Sequence, residues 1–83
     1  MTIRLKMFAI LKERSGLAEG ELQLPEGATV SAALEQIGRR FPGIAPGLAK
    51  IAVAVNLDYA AGDTVLHDGD ELALIPPVSG GRA

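Results

Sequence analysis

The sequence predicts a single α+β domain in which one main helix packs on one face of a mixed sheet of four to five strands. Several short segments alternate apolar with polar residues at the two-residue period of half-buried strands, and one longer segment has helical spacing. Since 83 residues are too few for two hydrophobic cores, all elements are expected to share one. The domain is predicted at residues 1–77, followed by a flexible tail at residues 78–83.

The first three elements are predicted to be a strand, a short helix and a second strand. Residues 3–8 alternate Ile, Leu and Met with Arg, Lys and Phe, which is typical of a strand with one face on the core. Residues 9–14 are helix formers that end at Gly16, so they predict one or two helical turns. Residues 21–24 alternate again before Pro25, and we expect this second strand to pair antiparallel with the first.

The main helix is predicted to begin after Thr29, a fair N-terminal cap, and to run for about three turns. Arg39 and Arg40 in its last turn favour the helix dipole. Pro42 then forbids continuation of the helix, because proline cannot donate a backbone hydrogen bond. The apolar residues on the side that we expect to face the sheet are Val30, Ala33, Leu34, Ile37 and Phe41.

The second half of the chain is predicted to add two strands and a short edge strand. After a crossover rich in proline and glycine at residues 42–47, residues 51–55 are apolar throughout, as expected of a central strand. Residues 58–60 predict a short edge strand, and residues 71–75 predict a final strand after an Asp-Gly turn. The order strand, strand, helix, strand, short strand, strand is that of the β-grasp (ubiquitin-like) fold.

The composition excludes several classes of function. Hydrophobic residues make up 48% and charged residues 22% of the chain, which is typical of a folded protein. The absence of cysteine excludes disulfides, thiolate metal sites and cysteine nucleophiles. A net charge of −2 provides no basic field, so we expect no nucleic-acid partner. No stretch approaches membrane-spanning length and the start lacks a signal-peptide pattern, so we expect no membrane partner and a cytoplasmic location.

The last residues of the sequence form the candidate functional segment. Pro76-Pro77 ends the pairing of the final strand and holds the exit from it extended, because proline has no N–H to donate. In Gly80-Gly81 the backbone has no Cβ atoms, so it can enter a channel that is too narrow for side chains. A Gly-Gly pair carries little weight by itself in a chain with 10 glycines. Its position after a strand and two prolines predicts delivery into another protein's active site.

Four segments of the sequence carry a resemblance to a known family. They are Met7-Phe8-Ala9 to Gly16, Val53-Ala54-Val55-Asn56, Leu66-His67-Asp68-Gly69-Asp70-Glu71-Leu72 and Pro76-Pro77-Val78-Ser79-Gly80-Gly81. Together they resemble the MoaD/ThiS-type sulfur-carrier family, and within it the MoaD-type small subunit of molybdopterin synthase. The closing segment is the most specific, because related thiamine-pathway carriers share the Gly-Gly and usually lack the proline pair.

The resemblance implies that Gly81 is the reacting residue. In the family, the carboxylate of the last glycine is adenylated with ATP by a ubiquitin-activating-like adenylyltransferase and converted to a thiocarboxylate. The tail, here Val78, Ser79 and Gly80, is then inserted into the large synthase subunit. There sulfur passes to a cyclic pyranopterin precursor in molybdenum cofactor biosynthesis. The resemblance thus implies a sulfur donor that is not catalytic alone, binds no cofactor itself and has two protein partners.

The sequence departs from the family pattern at its end. Arg82-Ala83 follows Gly81, and a glycine in a peptide bond has no carboxylate to activate. Three explanations are open: proteolytic removal of the two residues, a larger fusion of which this chain is one part, or residues added or altered at the natural end. We therefore expect a carrier whose Gly81 must first be exposed.

An apolar strip beside the tail is predicted to dock partner proteins. We expect it on the sheet face opposite the main helix, and burial under a loop is the alternative. The predicted docking residues are Phe8, Ala73, Ile75, Pro76, Pro77 and Val78.

The remaining polar residues predict no site. His67 lies in a turn, and a lone histidine of this kind is more often exposed to solvent than a ligand. Asp68, Asp70 and Glu71 lack the full ligand set of a calcium loop, so no metal site is predicted. A solvated face is the interpretation for Arg4, Lys6 and Arg39.

Other functions stay open on the sequence alone. The chain is alternatively a sulfur carrier for thiamine or tRNA thiolation, which the co-purifying partner would distinguish. A ubiquitin-like protein modifier would instead join Gly81 to lysines of other proteins. A non-catalytic β-grasp interaction module is the remaining alternative, favoured if Arg82-Ala83 is never removed and no fusion exists.

Overall fold

The structure is a computed structural model, and it describes residues 1–77. The predictions made for Val78, Ser79, Gly80 and Gly81 lie outside the described residues. Along the chain the elements are β1 (Thr2–Met7), α1 (Ala9–Ser15), β2 (Glu19–Gln23), α2 (Val30–Arg40), a 3₁₀ helix (Ala45–Lys50), β3 (Ala52–Val55), β4 (Asp58–Tyr59) and β5 (Glu71–Ile75).

The five strands form one mixed sheet in the order β2-β1-β5-β3-β4. β1 and β5 are parallel, whereas β1–β2, β5–β3 and β3–β4 are antiparallel. The predicted α+β class, the β-grasp order and the antiparallel pairing of β1 with β2 are therefore confirmed. β3, predicted to be a central strand, is internal but lies one place from the edge, and β5 takes the centre.

The hydrophobic core lies between the sheet and α2, as the two periodicities predicted. Ile3, Leu5 and Met7 of β1 are each at most 2% exposed. Leu72 and Leu74 of β5 are fully buried beside them. The side of α2 that meets the sheet buries Val30, Ala33 and Ile37, and Leu34 and Phe41 pack partly buried against the same core.

The main helix α2 has the predicted ends. The Thr29 hydroxyl accepts a 3.3 Å hydrogen bond from the backbone N–H of Ala32, which satisfies one of the unpaired N–H groups of the first turn. Arg39 and Arg40 lie in the last turn, where a positive charge favours the helix dipole. Within residues 1–77, no helix is both long and apolar enough to cross a membrane.

Strand β2 begins two residues earlier than predicted, at Glu19. Gly20 pairs with the core residue Leu5, so a glycine stands where the alternation requires an apolar side chain. Leu17 fills this gap, since its Cδ2 lies 2.7 Å from where a Cβ on Gly20 would be. The core contact therefore comes from a residue outside the strand, and alternation within the strand could not reveal it.

The crossover that was predicted only as a proline- and glycine-rich connection contains the 3₁₀ helix. Pro46 suits the start of such a helix, because its lost N–H would be unpaired there in any case. Gly38 of α2 lets this helix approach closely, since a Cβ on Gly38 would lie 3.4 Å from a methyl carbon of Leu48. Ile44, just before the 3₁₀ helix, is 2% exposed and joins the core.

Candidate functional site

The tail leaves the domain from the centre of the sheet. β5 pairs with β1 on one side and with β3 on the other, and its last register pair is Ala52–Ile75. Pro76 and Pro77 follow directly, so strand pairing ends where the sequence predicted. Because the strand is held on both sides, the body of the protein fixes the direction in which the chain emerges.

Three segments meet at the end of the sheet where β5 finishes, called the tail end below. β1 passes into α1 there, and the 3₁₀ helix passes into β3 there, because β1 runs parallel and β3 antiparallel to β5. Ala9 has a φ of 50°, a left-handed value rarely adopted by alanine, at the junction of β1 and α1. The opposite end of the sheet, called the far end, carries the β3–β4 turn and the turn before β5.

The sheet face opposite α2, called the open face, carries the predicted docking residues. The parallel register joins Met7 to Leu74 and, continued by one residue, sets Phe8 level with Ile75. Phe8 is 47% exposed and Ile75 is half-buried. Pro76 is half-buried and Pro77 exposed. The structure thus brings the two apolar side chains and the two prolines to the same end of the domain.

Ala73 has a different character from its predicted companions. It faces Lys6 on one neighbouring strand and Ala54 on the other, one row further from the tail end than Ile75. Ala73 and Ala54 are only 8% and 6% exposed, yet neither belongs to the core beneath the sheet. Because both side chains are only methyl groups, the open face is flat at this position. A partner would therefore contact a shallow surface there.

The β2–β1 side of the open face is charged. Arg4 and Lys6 lie 3.8 Å and 3.3 Å from the Glu71 carboxylate, which is itself only 14% exposed. The sequence predicted a solvated face for these two basic residues, which agrees with their exposed side chains, and the structure adds that both lie around one carboxylate. Both cations are exposed to solvent, so each ion pair contributes little to stability. Together, Arg4, Lys6 and Glu71 form a charged surface beside the apolar strip.

Two exposed apolar residues of the β3–β4 hairpin were missed by the sequence analysis. Tyr59 pairs with Ala54 and is 78% exposed, which extends the open face to its edge strand. Leu57 in the hairpin turn is 86% exposed. A two-residue strand is too short to show alternation, but the register opposite Ala54 would have revealed the orientation of Tyr59.

At the far end, Asp70 is the centre of a hydrogen-bonded cluster. Its carboxylate accepts hydrogen bonds from Asn56 Nδ2 at 2.9 Å and from the backbone N–H of His67 at 2.8 Å. The hydrogen bond from Asn56 is the largest cause of a lowered pKa at Asp70, and the His67 contacts add to it against partial burial. The sequence assigned no role to Asp70, and the structure shows that its carboxylate joins the β3–β4 turn to the turn before β5. The His67 ring is 80% exposed, as predicted.

Taken together, the sheet order and the helix packed on one face define a ubiquitin-like β-grasp domain, whose central strand β5 leads directly into the C-terminal segment of the sequence. The sequence matches the profile of the ThiS family over residues 5–81. The chain belongs to this family, and the predicted membership of the MoaD/ThiS-type sulfur carriers is confirmed.

Comparison with known proteins finds similar chains in a sulfur carrier subunit and in a small archaeal modifier protein. The chain is 32% identical over 79 residues to the molybdopterin synthase sulfur carrier subunit of Arabidopsis thaliana, covering 95% of this chain and 82% of that protein. It shares 30% identity and a TM-score of 0.87 with small archaeal modifier protein 1 of Haloferax volcanii, covering 93% and 98% of the two chains.

A third similar protein has been solved together with a partner. In the complex of subunits 1 and 2 of the molybdopterin-converting factor of Helicobacter pylori, one chain matches with 26% identity and a TM-score of 0.70. The match covers 98% of this chain and 100% of that chain. The similarity therefore extends over the whole domain, including the end of β5 from which the tail emerges.

Proposed function

We propose that this chain is the sulfur-carrier subunit of molybdopterin synthase and that Gly81, as a thiocarboxylate, donates sulfur to a cyclic pyranopterin precursor. The observation that carries the proposal is that Pro76-Pro77 directly follows a strand paired on both sides and directly precedes Val78-Ser79-Gly80-Gly81 in the sequence. Support also comes from family membership over residues 5–81 and from the name of the similar Arabidopsis thaliana protein.

The proposed chemistry takes place on the carboxyl group of Gly81. A carboxylate oxygen attacks the α-phosphorus of ATP, pyrophosphate leaves, and a mixed anhydride with AMP forms. Sulfur at the sulfide level (HS⁻ or its equivalent) then attacks the acyl carbon, the bond to AMP breaks and AMP leaves, which gives the thiocarboxylate. ATP is bound by the activating adenylyltransferase in this scheme, and we place the reaction in the cytoplasm.

A free carboxylate on Gly81 is a requirement of this chemistry. Arg82-Ala83 occupies that carboxyl group in a peptide bond. The scheme therefore needs a form of the protein that ends at Gly81, whether it arises by proteolysis, from a fusion or because the two residues are absent from the natural end.

The partner in sulfur transfer is proposed to be the large synthase subunit. Phe8, Ile75, Pro76 and Pro77 lie at the tail end, so a protein that receives the tail meets these residues first. Their mixture of an exposed aromatic ring and half-buried apolar groups is typical of the centre of a protein interface. The complex of two subunits known for the similar Helicobacter pylori protein supports a partner of this kind.

Intact-mass spectrometry tests the proposal. The form that ends at Gly81 is incubated with ATP, the adenylyltransferase and a sulfur source, and its mass is expected to rise by one oxygen-to-sulfur exchange. A form that ends at Gly80 tests whether Gly81 is needed, and the full chain tests whether Arg82-Ala83 blocks the reaction. Absence of the mass gain in the form ending at Gly81 would contradict the proposal.

A protein modifier is the second candidate function, because the chain is 30% identical to a small archaeal modifier protein over nearly its full length. In that case Gly81 would be joined to lysine side chains of other proteins through isopeptide bonds. Peptide mass spectrometry of the native cell distinguishes the two, since only a modifier leaves lysines joined to a branch that ends at Gly81. Trypsin cuts last after Lys50, so this branch consists of residues 51–81. Carriers for thiamine or tRNA thiolation would be recognised by a different co-purifying large partner.

A further inference from the structure

A groove of about 220 Å³ lies at the tail end, between α1 and the 3₁₀ helix. This tail-end groove is distinct from the open face, since it is formed by the helical segments that flank the exit of β5. It is lined chiefly by Ile10, Ile44, Pro76 and Pro77, with Arg14 and Lys50 among its other residues.

The groove combines apolar walls with two positive charges. Arg14 and Lys50 are both exposed, and none of the described residues that line the groove is a carboxylate. Within residues 1–77, neither cation has a carboxylate within ion-pair distance. The chain as a whole carries a net charge of −2, so this local excess of positive charge runs against its overall sign.

The far end of the domain has the opposite charge. Asp58 follows the β3–β4 turn, and Asp68 and Asp70 lie in the turn before β5. The far end therefore carries a cluster of carboxylates. At the tail end, Arg14 and Lys50 have no carboxylate within ion-pair distance in residues 1–77, although Glu13 of α1 and Glu19 of β2 also lie at that end. Such a distribution orients an approaching acidic surface toward the tail end, and the effect weakens as salt is added.

We propose that the tail-end groove docks an acidic segment of the large synthase subunit that carries one large apolar side chain. This inference rests on the proposed function. Pro76 and Pro77 are at once a wall of the groove and the start of the tail, so a protein that encloses the tail passes within contact distance of the groove. The two cations are complementary to carboxylates on the partner, and the apolar walls are complementary to a side chain without charge.

The size of the groove favours a side chain over a free small molecule. A volume of about 220 Å³ is below the roughly 300–1,000 Å³ of pockets that enclose drug-sized ligands. Ile10 is 44% exposed at the groove, so it has apolar surface left to bury. A partner's apolar side chain would fill this groove, and the ion pairs around it would shield it from water. A buried anchor residue surrounded by contacts that exclude water is the arrangement of an interface hot spot.

Charge reversal tests the groove directly. Arg14→Glu, Lys50→Glu and the double variant are titrated with the isolated large subunit by calorimetry, using both the full chain and the form that ends at Gly81. The double variant is expected to bind about tenfold more weakly, because two attractive contacts become repulsive. Its affinity is also expected to depend less on salt than that of the unmodified protein.

Each groove variant has a matched control outside the groove, which separates the loss of a contact in the groove from a general effect of changed net charge or lost apolar surface. Arg39→Glu changes the net charge as much as Arg14→Glu does, at a residue that is 77% exposed on α2 and outside the groove. Ile10→Ala is expected to weaken binding about fivefold by removing apolar contact. Val65→Ala matches it at a residue that is 47% exposed outside the groove. Both controls are expected to bind like the unmodified protein.

The outcomes distinguish this inference from the proposed function. If the unmodified form ending at Gly81 binds the large subunit and the groove variants bind equally well, the groove is not a docking site and the inference is overturned. Tighter binding by the charge reversals would also overturn it, since the partner surface at the groove would then be basic and not acidic. If the groove variants bind the adenylyltransferase more weakly but bind the large subunit normally, the groove docks the adenylyltransferase, and the inference is also overturned. If the unmodified form neither binds the large subunit nor gains sulfur, it is the proposed function that fails.

Discussion

The side chains of Asn56 and Asp70 join the β3–β4 turn to the turn that precedes β5. Asn56 Nδ2 donates a 2.9 Å hydrogen bond to Asp70 Oδ1, and Asn56 Oδ1 accepts a 3.0 Å hydrogen bond from the backbone N–H of Glu71. Asp70 Oδ2 accepts a further hydrogen bond from the backbone N–H of His67. These contacts fix the start of the central strand whose other end carries the tail.

Replacing Asn56 is expected to destabilise the domain. Asn56→Ala removes both hydrogen bonds and should lower the free energy of unfolding by roughly 1–3 kcal/mol. Asn56 also has a φ of 51°, which alanine adopts less readily than asparagine. Asn56→Gly removes the same side chain without that backbone cost, so urea unfolding of both variants separates the two contributions. Unchanged stability of the glycine variant would show that the side-chain hydrogen bonds contribute nothing.

The lowered pKa of Asp70 predicts a loss of stability in acid. A carboxyl group whose pKa is lower in the folded state binds fewer protons there than in the unfolded chain. Its contribution is therefore complete above the ordinary value of 3.8 and is lost as the pH falls through the folded pKa. Asp70→Asn cannot titrate, so its urea midpoint should fall less between about pH 6 and about pH 3 than that of the unmodified protein. Equal falls would contradict the assignment to Asp70.

The parts of the fold that the sequence predicted are those determined by local pattern. Alternation in β1 and β5 and the spacing of α2 identify the core because each residue's neighbours along the chain report which side is buried. The N-terminal cap at Thr29 is likewise a local signal and was found at the predicted residue. The Gly-Gly tail stays a prediction, since it lies outside residues 1–77.

The features that the sequence did not predict depend on contacts between distant residues. Asp70 joins two turns only through its hydrogen bond with Asn56, which is 14 positions away in the sequence. A turn motif around Asp70 does not indicate that partner. The 3₁₀ helix packs with Leu48 beside Gly38 on α2, whereas its own Pro46-Gly47 pair indicates a loop. The tail-end groove likewise exists only because the register of the sheet brings α1, the 3₁₀ helix and Pro76-Pro77 together.

Leu57 is expected to be a site where glycine stabilises the protein. Its φ is 74°, and Asn56 before it is also positive, as in the two-residue turns that favour Asn-Gly. Leu57 is 86% exposed, so little packing is lost when the side chain is removed. Leu57→Gly should raise the free energy of unfolding by about 0.5–1 kcal/mol after the greater flexibility of the unfolded chain is counted. Leu57→Ala keeps the backbone strain and should give no gain in thermal unfolding. A gain of equal size in both variants would mean that exposure and not φ is responsible.

Leu74 and Ile75 are neighbours on β5 that face opposite sides of the sheet, and their variants should separate stability from docking. Leu74 is fully buried in the core, so Leu74→Ala is expected to cost about 2–5 kcal/mol of unfolding free energy. Ile75 is half-buried on the open face, and Ile75→Ala should cost only about 1 kcal/mol.

Binding of the two variants to the large subunit should show the reverse order. It is measured without urea, at a temperature where both variants are folded. Ile75→Ala is expected to weaken it about fivefold through lost apolar contact, whereas Leu74→Ala leaves the open face unchanged. If Ile75→Ala binds like the unmodified protein, the open face beside the tail is not the surface that meets the large subunit.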